Sequence, residues 1–202
     1  MIIGSAGYTA ALCVMVIQNK IKPNDGEILV TGASGGVGSI AVNLLYRLGY
    51  KVVALSNKNE SYLKKLGAKS VLNRKDYVIN KKPLNSQKWV GSIDTVGGDI
   101  LSNIISETKY DGIVASTGLA RSPDLFTTVY PFILRNITLS GVDCVYANKQ
   151  KREKAWNLIE KTLDFKILDI IKNEKSLRDL KSLSEKIIKG EVKGRTLINV
   201  NL

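Results

Sequence analysis

The stretch Ile28 to Ser39, ILVTGASGGVGS, decides how the rest of the chain reads. Ile28 to Thr31 is a continuous apolar run of strand type, and Gly32 to Gly38 is a glycine-rich turn. Apolar side chains then recur at Val37, Ile40, Ala41, Leu44, Leu45 and Leu48, which traces one face of a helix. Ala33, Gly35 and Gly38 stand at the spacing of the dinucleotide fingerprint, with alanine where its first glycine is usual. A residue without bulk permits the tight turn, Gly35 lets the backbone approach a pyrophosphate, and Gly38 lets helix and strand pack closely while the helix N-terminus faces the anion. Ala33, Ser34 and Gly35 are therefore expected cofactor-binding residues. The alternative is a merely structural turn.

Gly49 ends this helix, and Lys51 to Ser56 (KVVALS) is a second buried strand, so a βαβ unit closes within about 30 residues, as parallel pairing requires. The end of that strand selects the dinucleotide. An NAD site wants a carboxylate for the ribose 2′-hydroxyl roughly 20 positions after the fingerprint starts. Here the chain reads Ser56-Asn57-Lys58, with no acid before Glu60. Ser56 can donate a hydrogen bond and Lys58 a charge to a 2′-phosphate, so the expected cofactor is NADPH. Against this, Lys58 is one of many lysines in the chain and can be read as ordinary surface.

Further along, a short helix is expected around Glu60 to Leu66, and strands at Ser70 to Leu72, Val90 to Val96, Gly112 to Ser116 and Ile137 to Val142. Between the second and third of these, Gly97-Gly98 turns into a helix with Ile100, Leu101, Ile104 and Ile105 inward. Met1 to Asn19 reads as a buried helix. Such alternation predicts an α/β, doubly wound parallel sheet of about six strands with helices on both faces, a Rossmann fold. After Asp143 come helices at Gln150 to Leu163 and Leu177 to Ile188, the second capped by Ser176 and ended by Gly190, and a last strand at Arg195 to Val200.

Composition narrows the function classes. The 202 residues are 44% hydrophobic and 24% charged, an ordinary globular balance, and the longest apolar run, Ala10 to Ile17, is too short to span a bilayer. The sequence has no histidine, which removes Ser-His-Asp and Cys-His catalysis and the usual histidine-bearing metal sites. Catalysis must come from other groups or from a bound cofactor. Cys13 and Cys144 lie far apart in apolar stretches and read as reduced thiols of a cytoplasmic protein. No signal peptide is expected, since no charged region precedes the first apolar stretch. Thirty Lys and Arg against 18 Asp and Glu leave a net charge of +12. The lysines are scattered without an aromatic-interleaved stripe, so solvated surface comes first and a phosphate-rich ligand second.

Five blocks then carry a resemblance: Ile2 to Met15 (IIGSAGYTAALCVM), Asp25 to Ser39 (DGEILVTGASGGVGS), Ile93 to Gly98 (IDTVGG), Pro131 to Asp143 (PFILRNITLSGVD) and Gly194 to Ile198 (GRTLI). With them the chain resembles the zinc-independent medium-chain dehydrogenase/reductases, in particular the NADPH-dependent acrylyl-CoA reductase branch long labelled quinone oxidoreductase. The resemblance implies that Ser5, Gly35, Gly36, Val37, Ser56 and Lys58 line the cofactor. It puts Leu119 and the segment Phe132 to Arg135 near the nicotinamide end, although Arg135 reads equally well as an ordinary helix-end arginine. It implies that residues 1–165 are the NADPH-binding domain. Residues 166–202 would be the C-terminal helices and return strand of an incomplete GroES-like catalytic domain, whose Leu197, Ile198 and Val200 lack a sheet to join. The chain then begins at an internal junction of the family's fold, part of the substrate cleft is absent, and no catalytic acid can be named. It further implies a homodimer through the strand at 137–142, an apolar edge that pairing would cover.

The leading expectation is an oxidoreductase, or its cofactor half, in which NADPH delivers hydride to the β-carbon of an activated alkene, an enoyl-CoA or a quinone-like molecule, without a metal or a membrane. A non-catalytic module that binds NADPH or nucleic acid is the alternative. Salt separates them, because binding to a phosphate backbone falls steeply with ionic strength.

Overall fold

The computed structural model describes residues 1–57 and 60–202. In chain order the elements are α1 (Gly4–Gln18), β1 (Glu27–Thr31), α2 (Gly36–Arg47), β2 (Lys51–Ser56), α3 (Glu60–Lys65), β3 (Ser70–Asn73), β4 (Trp89–Asp94), α4 (Gly98–Glu107), β5 (Thr108–Ser116), α5 (Tyr130–Arg135), β6 (Thr138–Gly141), α6 (Lys149–Thr162), α7 (Ile167–Ile171), β7 (Lys172–Ser176), a 3₁₀ turn (Leu177–Asp179), α8 (Leu180–Ile188) and β8 (Arg195–Asn199).

Among the described residues, six strands form one sheet in the order β3-β2-β1-β4-β5-β6, every neighbouring pair parallel. The period of two in the strands feeds two cores. Ile28, Val30, Val52 and Ala54 face a layer containing Leu12 and Ile17 of α1, Ile40 and Leu44 of α2, and Ile159 of α6. Leu29, Val53, Leu55 and Val114 face Ile100, Leu101, Ile104 and Ile105 of α4. That is the doubly wound Rossmann arrangement expected from the alternation of elements. Ala10 to Val14 are buried without a break, which is why α1 is apolar all round.

Two features mark the C-terminus. Ile167 and Ile171 of α7 are buried in the same core as α1 and α2, so the packed body continues past residue 165. The final strand also has a sheet to join: β8 pairs in parallel with β7, Lys172 opposite Arg195 through Ser176 opposite Asn199. The segment Lys-Asn-Glu-Lys-Ser gives no apolar alternation, so only its pairing makes it a strand. Ser176 caps the next helix through a capping box with Asp179, but the first turn is 3₁₀ and α8 starts at Leu180.

Candidate dinucleotide crevice

Strand order reverses between β1 and β4, and at that point the chain leaves the sheet in opposite directions and opens a crevice at the strands' C-terminal ends. Gly32 makes the exit from β1. Its φ is +54°, and a Cβ there would stand 2.2 Å from Thr95 Oγ1, so the position demands glycine. The fingerprint therefore keeps its tight-turn glycine one residue before Ala33. Gly38 is equally constrained, since a Cβ would lie 2.4 Å from the Gly32 carbonyl oxygen across the helix-strand contact. Gly35 differs. It is extended, with φ −81° and ψ −178°, so its backbone conformation suits any residue, and an added Cβ would make one tight contact, 3.2 Å from the Gly32 oxygen.

The other expected residues fall as follows. Ser34 and Gly35 line a cavity of about 470 Å3 together with Ser56 and Asn57, and Ser56 Oγ donates to Ser34 Oγ at 2.9 Å. Ala33 is fully buried beneath the turn. Gly36 opens α2, and Val37 is half-buried against the core. Ser5 stands in the first turn of α1, which abuts the start of α2: a Cβ on Gly36 would come 3.4 Å from Ala6 Cβ. Lys58 lies outside the described residues. Leu119 lines a second, open cavity of about 620 Å3 beyond the ends of β5 and β6, next to Gly97 and Gly98. Phe132 packs at the edge of the core that holds α4.

Arg135 is a correction. Its guanidinium donates to the carbonyls of Ser106 at 2.7 Å, Thr108 at 3.3 Å and Asn85 at 2.6 Å. Thr108 begins β5, so this side chain ties down the N-terminal end of the sheet, opposite the crevice. Its three bonds run to carbonyls of other segments and give Arg135 a structural part there.

Several site residues were not singled out from the sequence. Arg74 follows β3 and lines the cavity beside Ser56 and Asn57, its backbone N–H bonded to the Ser56 carbonyl at 3.2 Å. A basic residue just past the third strand was the available signal. Arg195, within the GRTLI block, lies over the start of α2. A Cβ on Gly36 would come 2.9 Å from its Cδ, and its Nε donates to the Ile2 carbonyl at 3.0 Å. Asp94, at the end of β4, is fully buried. It accepts from Thr31 Oγ1 at 2.7 Å and from the Gly97 N–H at 2.8 Å. Burial raises its pKa from the ordinary value, and the hydrogen bonds from Thr31 and Gly97 pull against that shift. The segment from Ile187 to Lys193 forms a further wall of the crevice. Gly194 N–H fastens that wall to the Ser34 carbonyl at 2.7 Å.

A helix N-terminus with free N–H groups, a glycine turn and an arginine over it bring together the donors and positive charge that suit an anion. No three His, Cys, Asp or Glu side chains among the described residues converge as a metal site would require.

Residues 36–161 match the family model described as zinc-binding dehydrogenase. Among solved structures, the chain is similar to Escherichia coli K-12 YhdH with bound NADPH, with a TM-score of 0.95 and 47% identity, covering 100% of this chain and 63% of that one. It is similar to Bacillus subtilis YhfP with NAD bound, with a TM-score of 0.91 and 40% identity, covering 99% of this chain and 62% of that one. The acrylyl-CoA reductase AcuI of Ruegeria pomeroyi is 41% identical over 100% of this chain and 62% of its own length. The chain thus spans less than two thirds of the relatives it matches.

Proposed function

The chain belongs to the zinc-binding dehydrogenase family, and from that premise we propose that it binds NADPH in the β1/β4 crevice as the cofactor-holding part of a reductase acting on activated alkenes, of the acrylyl-CoA or quinone-like class. The observation that carries this reading is the pairing of two features: an α2 N-terminus with Arg195 over it, and a β2 end that offers Ser56 and nearby Arg74 but no carboxylate. The related structures hold NADPH in one case and NAD in another, so likeness alone does not choose between them. The side chains at the end of β2 favour the phosphorylated form.

When bound, the cofactor supplies a hydride for the alkene carbon. The α2 turn and Arg195 hold its diphosphate. Ser56, Arg74 and Lys58 take the 2′-phosphate, and Gly97, Gly98 and Leu119 wall the second cavity, where the far half of a dinucleotide would extend. Despite the family's name, the residues present do not fit a zinc ion: the sequence has no histidine, and no three Cys, Asp or Glu side chains converge among the described residues. The same reading takes the protein as cytoplasmic and as a homodimer through β6, a sheet edge beside the exposed side chains Ile133 and Tyr146. No helix among the described residues is long and apolar enough to cross a membrane.

Calorimetric titration with NADPH and NADH tests the proposal, and acrylyl-CoA-dependent oxidation of NADPH by this cofactor-holding part alone is expected to be slow or absent. Tighter binding of NADPH, lost on Arg74→Glu, is expected. Equal affinity for the two would overturn the cofactor assignment.

A further inference from the structure

The C-terminal wall of the crevice carries a cation that the site described so far leaves without a role. We infer that Lys193, brought over the crevice by the segment between α8 and β8, is a specificity-determining residue for the cofactor's 2′-phosphate. NADPH is then read from two sides, the end of β2 and the C-terminal segment. The inference rests on the dinucleotide reading above and adds a residue to it.

The backbone around Lys193 is held on both sides. Its carbonyl accepts from Asn173 Nδ2 at 2.8 Å, and the next N–H, that of Gly194, donates to the Ser34 carbonyl at 2.7 Å. Gly194 itself has a φ of +64°, and a Cβ on it would stand 2.3 Å from the Ile171 carbonyl oxygen, so the chain turns sharply there and only glycine fits. That turn sends the flanking cations to different places. Arg195 lies over Gly36 at the start of α2, on the diphosphate side. Lys193 projects toward α3, the helix that follows β2, with its ammonium 5.4 Å from the centroid of the Tyr62 ring.

Tyr62 is itself fixed, its hydroxyl 2.8 Å from Ser39 Oγ of α2. Lys193 also lines the same cavity as Ser56 and Arg74, two of the groups proposed for the 2′-phosphate. Its ammonium is exposed and makes no ion pair among the described residues. A cation over an aromatic face in water is weakly held, whereas a phosphate dianion offers charge-assisted bonds, so the ammonium gains by moving to it. Lys189, the other lysine of this wall, sits at the C-terminus of α8, where the helix dipole already favours a positive charge. Lys193 has no such alternative.

The test is calorimetric titration of the 202-residue chain with NADPH and NADH, for the parent, Lys193→Gln, and Lys186→Gln as a control on an exposed face of α8 outside the cavity. Lys193→Gln is expected to weaken NADPH about five- to tenfold and NADH less than about twofold, while Lys186→Gln changes neither by more than about twofold. The adenosine fragments 2′,5′-ADP and 5′-AMP should repeat that contrast. Equal weakening of NADPH and NADH, no change in NADPH, or the same effect from Lys186→Gln would overturn the assignment. The two readings fail differently. A parent chain that binds neither dinucleotide removes the crevice reading and this inference with it. A parent that binds both, with an NADPH preference indifferent to Lys193→Gln, removes only this inference.

Discussion

Thr31 Oγ1 donates a 2.7 Å hydrogen bond to Asp94 Oδ1, joining the ends of β1 and β4 where the strand order reverses. Two further bonds complete the staple: Thr95 N–H donates to Thr31 Oγ1 at 3.0 Å, and Gly97 N–H donates to the second Asp94 oxygen at 2.8 Å. The carboxylate thus holds both the fingerprint turn and the Gly97-Gly98 turn. Asp94→Ala would leave the Thr31 hydroxyl and the Gly97 N–H without an acceptor in a dry site, and should cost about 2–4 kcal/mol in chemical denaturation.

The same group sets a pH dependence of definite sign. Burial holds the Asp94 pKa above its ordinary value of 3.8, so the native state keeps this proton in a range where the unfolded chain has lost it. The contribution of Asp94 to stability is therefore largest below pH 3.8 and declines as pH rises through its native pKa. Asp94→Asn, which cannot ionise, should remove that part of the slope. Denaturant midpoints between pH 4 and 8 (about that range) for parent and variant provide the check; parallel curves would show that Asp94 is not shifted in this direction.

Arg195 and Arg74 lie on different parts of the crevice, and their substitutions should separate by ligand. Arg195→Met removes the cation over Gly36 and should weaken NADPH and NADH alike, by about tenfold. Arg74→Gln should weaken NADPH and leave NADH nearly unchanged. Fluorescence titration with both nucleotides distinguishes the patterns.

The fingerprint glycines should fail in different ways. Gly38→Ala forces a Cβ to 2.4 Å from a backbone oxygen in the helix-strand contact, which nothing flexible can relieve, and it should lower the melting temperature sharply. Gly35→Val meets no positive φ. It should stay folded while dinucleotide binding is lost, because the side chain fills the space the diphosphate would need. Melting curves and nucleotide titrations on both variants test the contrast, and a stable Gly38→Ala would contradict the close packing described above.

If the proposed dimer forms through β6, Gly141→Lys should break it without harming the subunit. A Cβ at Gly141 meets nothing within 4 Å, so the lysine has room, while its charge lies on the strand edge that pairing must cover. Sedimentation at micromolar concentration should show a dimer for the parent and a monomer with unchanged melting for the variant.

Much of this fold was legible locally. The apolar runs at Ile28 to Thr31 and Lys51 to Ser56, the helical spacing from Val37 to Leu48, and the glycine turn between them require no partner to be recognised, because period and turn chemistry are properties of neighbouring residues. The absence of a carboxylate after Ser56 was readable for the same reason. Tertiary structure alone decided the rest. Lys172 to Ser176 is a strand only because Arg195 to Asn199 lies beside it. Arg135 is structural because three carbonyls from other segments converge on it. Arg195, Lys193 and Arg74 reach the crevice only after distant parts of the chain have been folded onto one another. Their charges carry no local pattern, and what they can bind depends on distances that a linear sequence does not contain.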